Sequence, residues 1–471
     1  MKTASSHSSI NRESQTLLRN KWEELAEDLR FPTQILGRAA IACGATHHVM
    51  ERCNFSCTCC YLSPDANKTE PLPFPEVQKQ LDALRAAEGY GGKVQITAGE
   101  VTLLPLEDLG RIITYALDID LDPMVMTNGE RFLDEPNYLL SLVRDYGLQK
   151  VSIHIDTTQR GRKGTNGNAT ERDLHAVRES FAQLIRWVRQ ETGQPLHAAS
   201  TYTVTPDNLE EVGEVSRWFL NNADAFRLFS LQPVADVGRS RKAEAGIPVE
   251  REGLWKEIND ACGNDLNRHP IHFGHPQCNN VVPLVLATVG DRYLTFETVR
   301  KDNQRDETIA ALLLRESGRQ VDWDAPLHHI LPTLAQFFLA RPLLLPRLLS
   351  YAVYRIISER QKLLEVCQLA LTARQWPRFS PFLFIVHNFM SPGELQTPLG
   401  KERLAACIFK LPVDGKLVSM CEMNATDMRA KLDQMQIKAM QIKEQQPQSD
   451  CRSTTNRTPD QSGRSLADAP S

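Results

Sequence analysis

Cys53, Cys57 and Cys60 stand at C-x3-C-x2-C spacing within the nine-residue stretch Cys53–Tyr61. Soft thiolates select iron–sulfur clusters, zinc or copper(I). Three thiolates on one tight loop can hold three irons of a cubane 4Fe–4S cluster and leave the fourth iron open. That open iron separates a cluster that does chemistry from one that only carries electrons. Structural zinc is the competing reading, but it normally draws on two separated cysteine pairs. Cys59 falls off the spacing and reads as a small buried neighbour.

A second group of cysteines lies far along the chain. Residues 407–424 read as strand, Asp414-Gly415 turn, strand, with Cys407 and Cys421 near the ends. A hairpin brings its ends together, so both thiols can serve one metal centre. Cys278 is the first candidate to complete it, then Cys262 or Cys367. Two ordinary buried cysteines are the bland alternative.

The elements that position the first loop follow a regular rhythm. Strands are expected at about His47–Met50, Lys93–Thr97, Pro123–Thr127, Lys150–Asp156, His197–Val204 and Phe226–Leu231. Helices are expected between them over Phe74–Ala87, Leu106–Leu117, Asn137–Asp145, Glu171–Arg189 and Leu209–Asn221. The fourth of these helices carries an apolar stripe at Leu174, Val177, Phe181, Leu184, Ile185 and Val188. Alternating strands and helices imply a parallel sheet with right-handed crossovers. Six units are too few for a closed eight-stranded barrel. The fold class is therefore α/β: a partial six-stranded (βα)6 barrel with an α-rich C-terminal extension and a small β-hairpin. Sites in such sheets sit at the C-terminal strand ends, where the cysteine loop lies. On the fourth strand Ser152, His154 and Asp156 share one face by the period of two.

The remaining boundaries are softer. Residues 1–40 form a polar, partly helical segment, with the helix at Leu17–Leu29, too short for a built-in leader-peptide domain. Residues 41–240 hold the barrel, 241–300 a loop-rich connection, and 301–385 an apolar helical segment broken by Arg341, Arg347 and Arg355. Those arginines leave no run long enough to span a membrane. Residues 386–430 contain the cysteine hairpin, and 431–471 a Gln-rich helix followed by a disordered tail from Gln446. The net charge of −4 gives no general pull toward nucleic acid. Eleven clustered cysteines without a signal peptide point to a reducing, cytoplasmic setting.

The cysteine loop after the first strand resembles that of the radical S-adenosylmethionine (radical SAM) enzymes, and the resemblance covers roughly residues 45–235. Thr97-Ala98-Gly99-Glu100 looks like that family's Gly-Gly-Glu motif, with Ala98 in place of the first glycine. The resemblance implies that Ala98, Gly99 and Glu100 face the methionine amino group, and that Thr127 and Asn128 line the same pocket. Asp156, Asn208 and Gln232 fall where relatives meet the cofactor, and His154 is a candidate for a substrate or cofactor role. It further implies a 4Fe–4S cluster on Cys53, Cys57 and Cys60, one-electron cleavage of S-adenosylmethionine, a 5′-deoxyadenosyl radical, and an electron donor such as flavodoxin or ferredoxin. The cysteine hairpin resembles extensions that carry an auxiliary iron–sulfur cluster, here on Cys278, Cys407 and Cys421, although its spacing around Gly415 differs. With His387-Asn388-Phe389-Met390 upstream, it is most similar to members acting on lipids, the tetraether-lipid synthases among them. A lipid chain is thus the expected substrate, with association at the inner membrane face through the Arg-punctuated helices. A peptide or small metabolite is the alternative, and a non-catalytic iron–sulfur protein the alternative from another class. No Asp-x-His-x-x-Gly cobalamin motif occurs.

Overall fold

The computed structural model describes residues 4–165, 168–240, 249–317, 335 and 337–445. The expectations for 318–334 and for the tail from Gln446 lie outside these residues.

Six strands carry the barrel part: β1 (Cys43–Ala45), β2 (Gly92–Ile96), β3 (Leu121–Thr127), β4 (Lys150–His154), β5 (His197–Val204) and β6 (Phe226–Pro233). They pair in sequence order and all in parallel. A helix α1 (Ala4–Glu24) precedes them. The crossovers carry α2 (Phe74–Glu88), α3 (Leu106–Asp118), α4 (Glu130–Asp134), α5 (Pro136–Arg144), α6 (His175–Thr192) and α7 (Val212–Asn221). This is the expected (βα)6 arrangement. β1 starts and ends earlier than the sequence suggests, because His48 sits at φ 56° and cannot continue a strand. Residues 46–50 instead leave the sheet to begin the cysteine loop.

The main departure lies after β6. The stretch expected to be loop-rich contains α8 (Arg251–Cys262), β7 (Asn279–Val289) and β8 (Arg292–Glu297). α9 (Gln304–Ser317) follows, then helices Leu344–Ser358 and Arg360–Ala373, then β9 (Arg378–His387). β9 pairs in parallel with β6 over Leu383–Val386 and antiparallel with β7. The hairpin forms as expected, from β10 (Phe409–Val413) and β11 (Lys416–Ser419), and Asp414 and Gly415 both have positive φ. β10 docks in parallel on β1, with Cys43 opposite Phe409. The result is one 11-stranded sheet in the order β11-β10-β1-β2-β3-β4-β5-β6-β9-β7-β8. The C-terminal extension thus covers both edges of the barrel part and leaves neither of them unpaired.

The core runs between the sheet and its helices. Phe181, Ile185 and Val188 of α6 are fully buried, as their spacing predicts. Arg178, on the same helix, is buried too. Its guanidinium pairs with Glu171 and donates to the Ile155 carbonyl, which satisfies the charge inside the core.

Candidate active site

The cysteine loop fills the connection from β1 to α2 and is held from four sides. From β2, Glu100 N–H donates to the Arg52 carbonyl at 2.9 Å. Gly99 has φ +60°, and a Cβ there would lie 2.2 Å from the Met50 oxygen and 2.5 Å from that of Glu51. Only glycine allows this approach. Ala98 packs with Leu62 and Ala66 beside Cys53, Cys60 and Tyr61. From β3, Asn128 Nδ2 donates to Asn54 Oδ1 at 2.8 Å. From the loop after β4, the carbonyls of Arg160 and Thr158 accept from Ser56 and Thr58 N–H, each at 2.9 Å. From the loop after β6, Arg239 N–H donates to the Cys60 carbonyl at 2.8 Å. There too a Cβ on Gly238 would meet the Tyr61 carbonyl at 2.3 Å.

A fifth restraint comes from the chain's C-terminal helix, Met428–Gln445. Arg429 donates to buried Glu51 at 2.8 Å, and its guanidinium lies 5.0 Å over the Tyr61 ring. Asp433 takes His48 Nε2 on one oxygen, at 2.5 Å, and the Ser63 hydroxyl on the other.

All three thiols are held above their ordinary range. Burial pushes Cys53 up to about 12, with Glu100 and Cys60 adding to the rise. Burial also raises Cys57, followed by its neighbours Cys60 and Cys53. Cys60 is raised by burial and partly relieved by Arg239 and Arg429. A cationic centre bound among them would supply the charge that three clustered thiolates need. The donor set therefore fits the iron–sulfur group implied by the spacing. Among the described residues no three His, Cys, Asp or Glu side chains stand ready-made around a single metal position. Cys59 is half-buried, with the Thr58 hydroxyl 3.9 Å from its sulfur.

The structure gathers the other expected residues, with some roles redrawn. Glu100 is buried and accepts from Thr102 N–H, the Thr102 and Thr127 hydroxyls and Asn128 N–H, at 2.6–3.1 Å. Its carboxylate is raised by burial against these bonds, and it ties the end of β2 to that of β3. The ammonium contact implied for it is redrawn accordingly: what stands at the loop is the Ala98–Gly99 backbone. Asp156 accepts from His154 Nε2 at 2.5 Å, Thr203 N–H at 2.6 Å and Thr158. Burial alone would raise it, but His154 and these bonds hold it below the usual carboxylate range. The His154 side chain stays a quarter exposed. Asn208 accepts from Thr205 N–H and donates to the Thr203 carbonyl, and its amide nitrogen also reaches Thr157 and Glu171 in the loop after β4. Arg162, which sequence reasoning missed, is buried and bonds Glu130, Gln159 and the carbonyls of Asn128 and His154. It thereby joins the ends of β3 and β4.

The second cysteine group comes from segments 129 and 14 residues apart. Cys278 precedes β7, Cys407 precedes β10, and Cys421 lies on the short helix Met420–Ala425. Burial takes Cys421 up to about 12, with Cys407 and Cys278 both contributing. Arg403 Nε donates to Cys278 at 3.5 Å, and the Ser419 hydroxyl to Cys407 at 3.2 Å. Cys262 and Cys367 do not join them. Cys262 is buried on α8 with Glu297 and Lys362 as its charged neighbours, and Cys367 is exposed.

The family model described as "Radical SAM superfamily" matches residues 48–219. That stretch runs from the start of the cysteine loop to α7. Residues 48–219 are thus a match to the radical SAM superfamily, over somewhat more than a third of the chain. Among curated proteins it is similar to a 7,8-dihydro-6-hydroxymethylpterin dimethyltransferase of Methanocaldococcus jannaschii. The two are 25% identical over 194 residues, which make up 41% of this chain and 36% of that relative. Among solved structures it is similar to hexahistidine-tagged anSMEcpe with bound AdoMet, with a TM-score of 0.36 and 13% identity over 46% of this chain and 57% of that one. Native anSMEcpe with bound AdoMet gives 0.36 and 14%, over 47% and 62%. The chain thus spans only about a third of its curated relative's length.

Proposed function

We propose that Cys53, Cys57 and Cys60 hold a 4Fe–4S cluster at which S-adenosylmethionine is reductively cleaved, and that the chain uses the outcome to abstract hydrogen from an organic substrate. When bound, that pair supplies one-electron scission of a carbon–sulfur bond and with it a 5′-deoxyadenosyl radical. The observation that carries the reading is the C-x3-C-x2-C triplet on a loop clamped by the Gly99 backbone. Ala98, Gly99, Thr127 and Asn128 are assigned to the cofactor's methionine end. Asp156, with His154 and Thr203, is assigned to its other end. Glu100 and Asn208 hold these segments in place. Cys278, Cys407 and Cys421 are assigned to a second iron–sulfur centre.

An apolar lipid chain is the substrate class we favour, on the motif resemblance and on the apolar face described below. The curated relative is named for a pterin, which supports a small-metabolite substrate as the second reading. The electron donor would be a flavodoxin- or ferredoxin-type protein. Anaerobically reconstituted, reduced protein given S-adenosylmethionine should release 5′-deoxyadenosine, and Cys57→Ala should not. No release from fully reconstituted protein would overturn the reading. Iron retained by a Cys53/Cys57/Cys60 triple alanine variant tests the second centre; none remaining would remove it.

A further inference from the structure

Among the described residues, helix Leu344–Ser358 turns one of its faces to the protein. Leu344 is buried, the Tyr351 hydroxyl reaches Asp306 at 2.9 Å, and Arg355 pairs with Asp306 and Glu359 and donates to the Glu297 carbonyl. Arg355, expected at lipid headgroups, is instead part of this internal network. The opposite face carries Leu345, Leu349, Val353 and Ile356, which are 44–59% exposed. Their spacing aligns them in one apolar stripe about 17 Å long. Leu343 before it and Trp376 after it are 77% and 95% exposed. Of the sixteen large hydrophobic side chains exposed among the described residues, eleven fall between Leu339 and Phe379. Exposed apolar side chains are ordinary when scattered; concentrated like this they mark a surface that meets something.

Charge indicates what it meets. Over residues 339–379 basic side chains outnumber acidic ones seven to two; Arg355 and Lys362 turn inward, to Asp306 and Asn264, and the other five are not part of that network. Arg347, Arg360 and Arg374 are exposed in the same segment. A second copy of the chain would set these arginines against their own kind. No helix among the described residues is long and apolar enough to cross a membrane, so the surface suits binding in the plane of a bilayer. We propose that this face docks on an anionic lipid surface, the stripe entering the headgroup boundary and the arginines meeting lipid phosphates along their apolar stems. This stands apart from the proposed chemistry, since it requires neither cluster nor S-adenosylmethionine.

Flotation of the full chain, without cofactor, tests it. The protein should float with mixed phosphatidylcholine–phosphatidylglycerol vesicles, less with phosphatidylcholine alone, and less as salt rises. Leu349→Glu with Ile356→Glu should lower the bound fraction at least about tenfold. Both positions are exposed, so circular dichroism and melting should match the parent. Absence of flotation on the mixed vesicles would overturn the proposal, and that is the result if a second copy or residues 318–334 already cover the face. Unchanged binding by a folded double variant would overturn it equally. So would light scattering that shows a dimer broken by the same substitutions.

Discussion

At the scale of single residues, the geometry around the cysteine loop is enforced by side chains too small to be noticed. Gly99 is the clearest. Its backbone lies against the Met50 and Glu51 carbonyls with no room for a methyl group. Gly99→Ala should cost about 1–3 kcal/mol through overlap and the positive φ, and should lower the iron taken up on reconstitution. Unaltered melting together with unaltered iron content would refute this. The cysteine triplet and Gly99 were legible in the sequence, because their signal is local spacing. The polar face of Ser152, His154 and Asp156 was legible through the period of two. Glu100 was legible as a site residue but not in its role. A carboxylate after a strand suggests a cation partner, and only the fold reveals Thr102, Thr127 and Asn128 consuming it. Arg162, Gly238 and Arg239 come from loops without periodicity, and nothing local marked them.

At the scale of elements, the C-terminal helix Met428–Gln445 is tied to the cysteine loop by charges that are both buried. Glu51 keeps one oxygen without a hydrogen-bond partner, so Arg429 alone neutralises it from that helix. Arg429→Met should destabilise the fold by about 3–5 kcal/mol, the usual consequence of stranding one member of a buried ion pair. It should also speed the loss of loop iron to a chelator; a parent-like rate would show that the helix does not restrain the loop. The sequence displayed this helix as polar and Gln-rich, and a polar helix reads as solvated. Its contacts lie more than 360 residues away in the chain. The strands β7 and β9 were hidden for a related reason. β7 is buried along nearly its whole length, so it shows no alternation, and Pro283 and Pro381 suggest breaks. Pro381 is tolerated because pairing with β6 begins two residues later.

At the scale of the whole molecule, the sheet joins the two cysteine groups into one body, with β10 on the β1 edge and β9 and β7 on the β6 edge. Three histidines at these joins are held neutral. Burial takes His47, His272 and His387 each down to about 4. The unfolded chain takes up their protons at about pH 6.5, so the native state loses ground as pH falls from there to about 4. Each histidine contributes at most about 1.4 kcal/mol per pH unit in that window. Melting temperature should be level between about pH 7 and 8 and fall as pH drops through this range, and His387→Gln should flatten the fall. A melting curve independent of pH between 7 and 4 would contradict it.

The central claim is that the loop presents a cluster with one iron open to S-adenosylmethionine. Electron paramagnetic resonance of the reduced, reconstituted protein tests this most directly. The account predicts a cluster signal that changes shape when S-adenosylmethionine is added, and loss of that response in the Cys53/Cys57/Cys60 triple alanine variant. A cluster signal in the parent protein that S-adenosylmethionine leaves unaltered would contradict it.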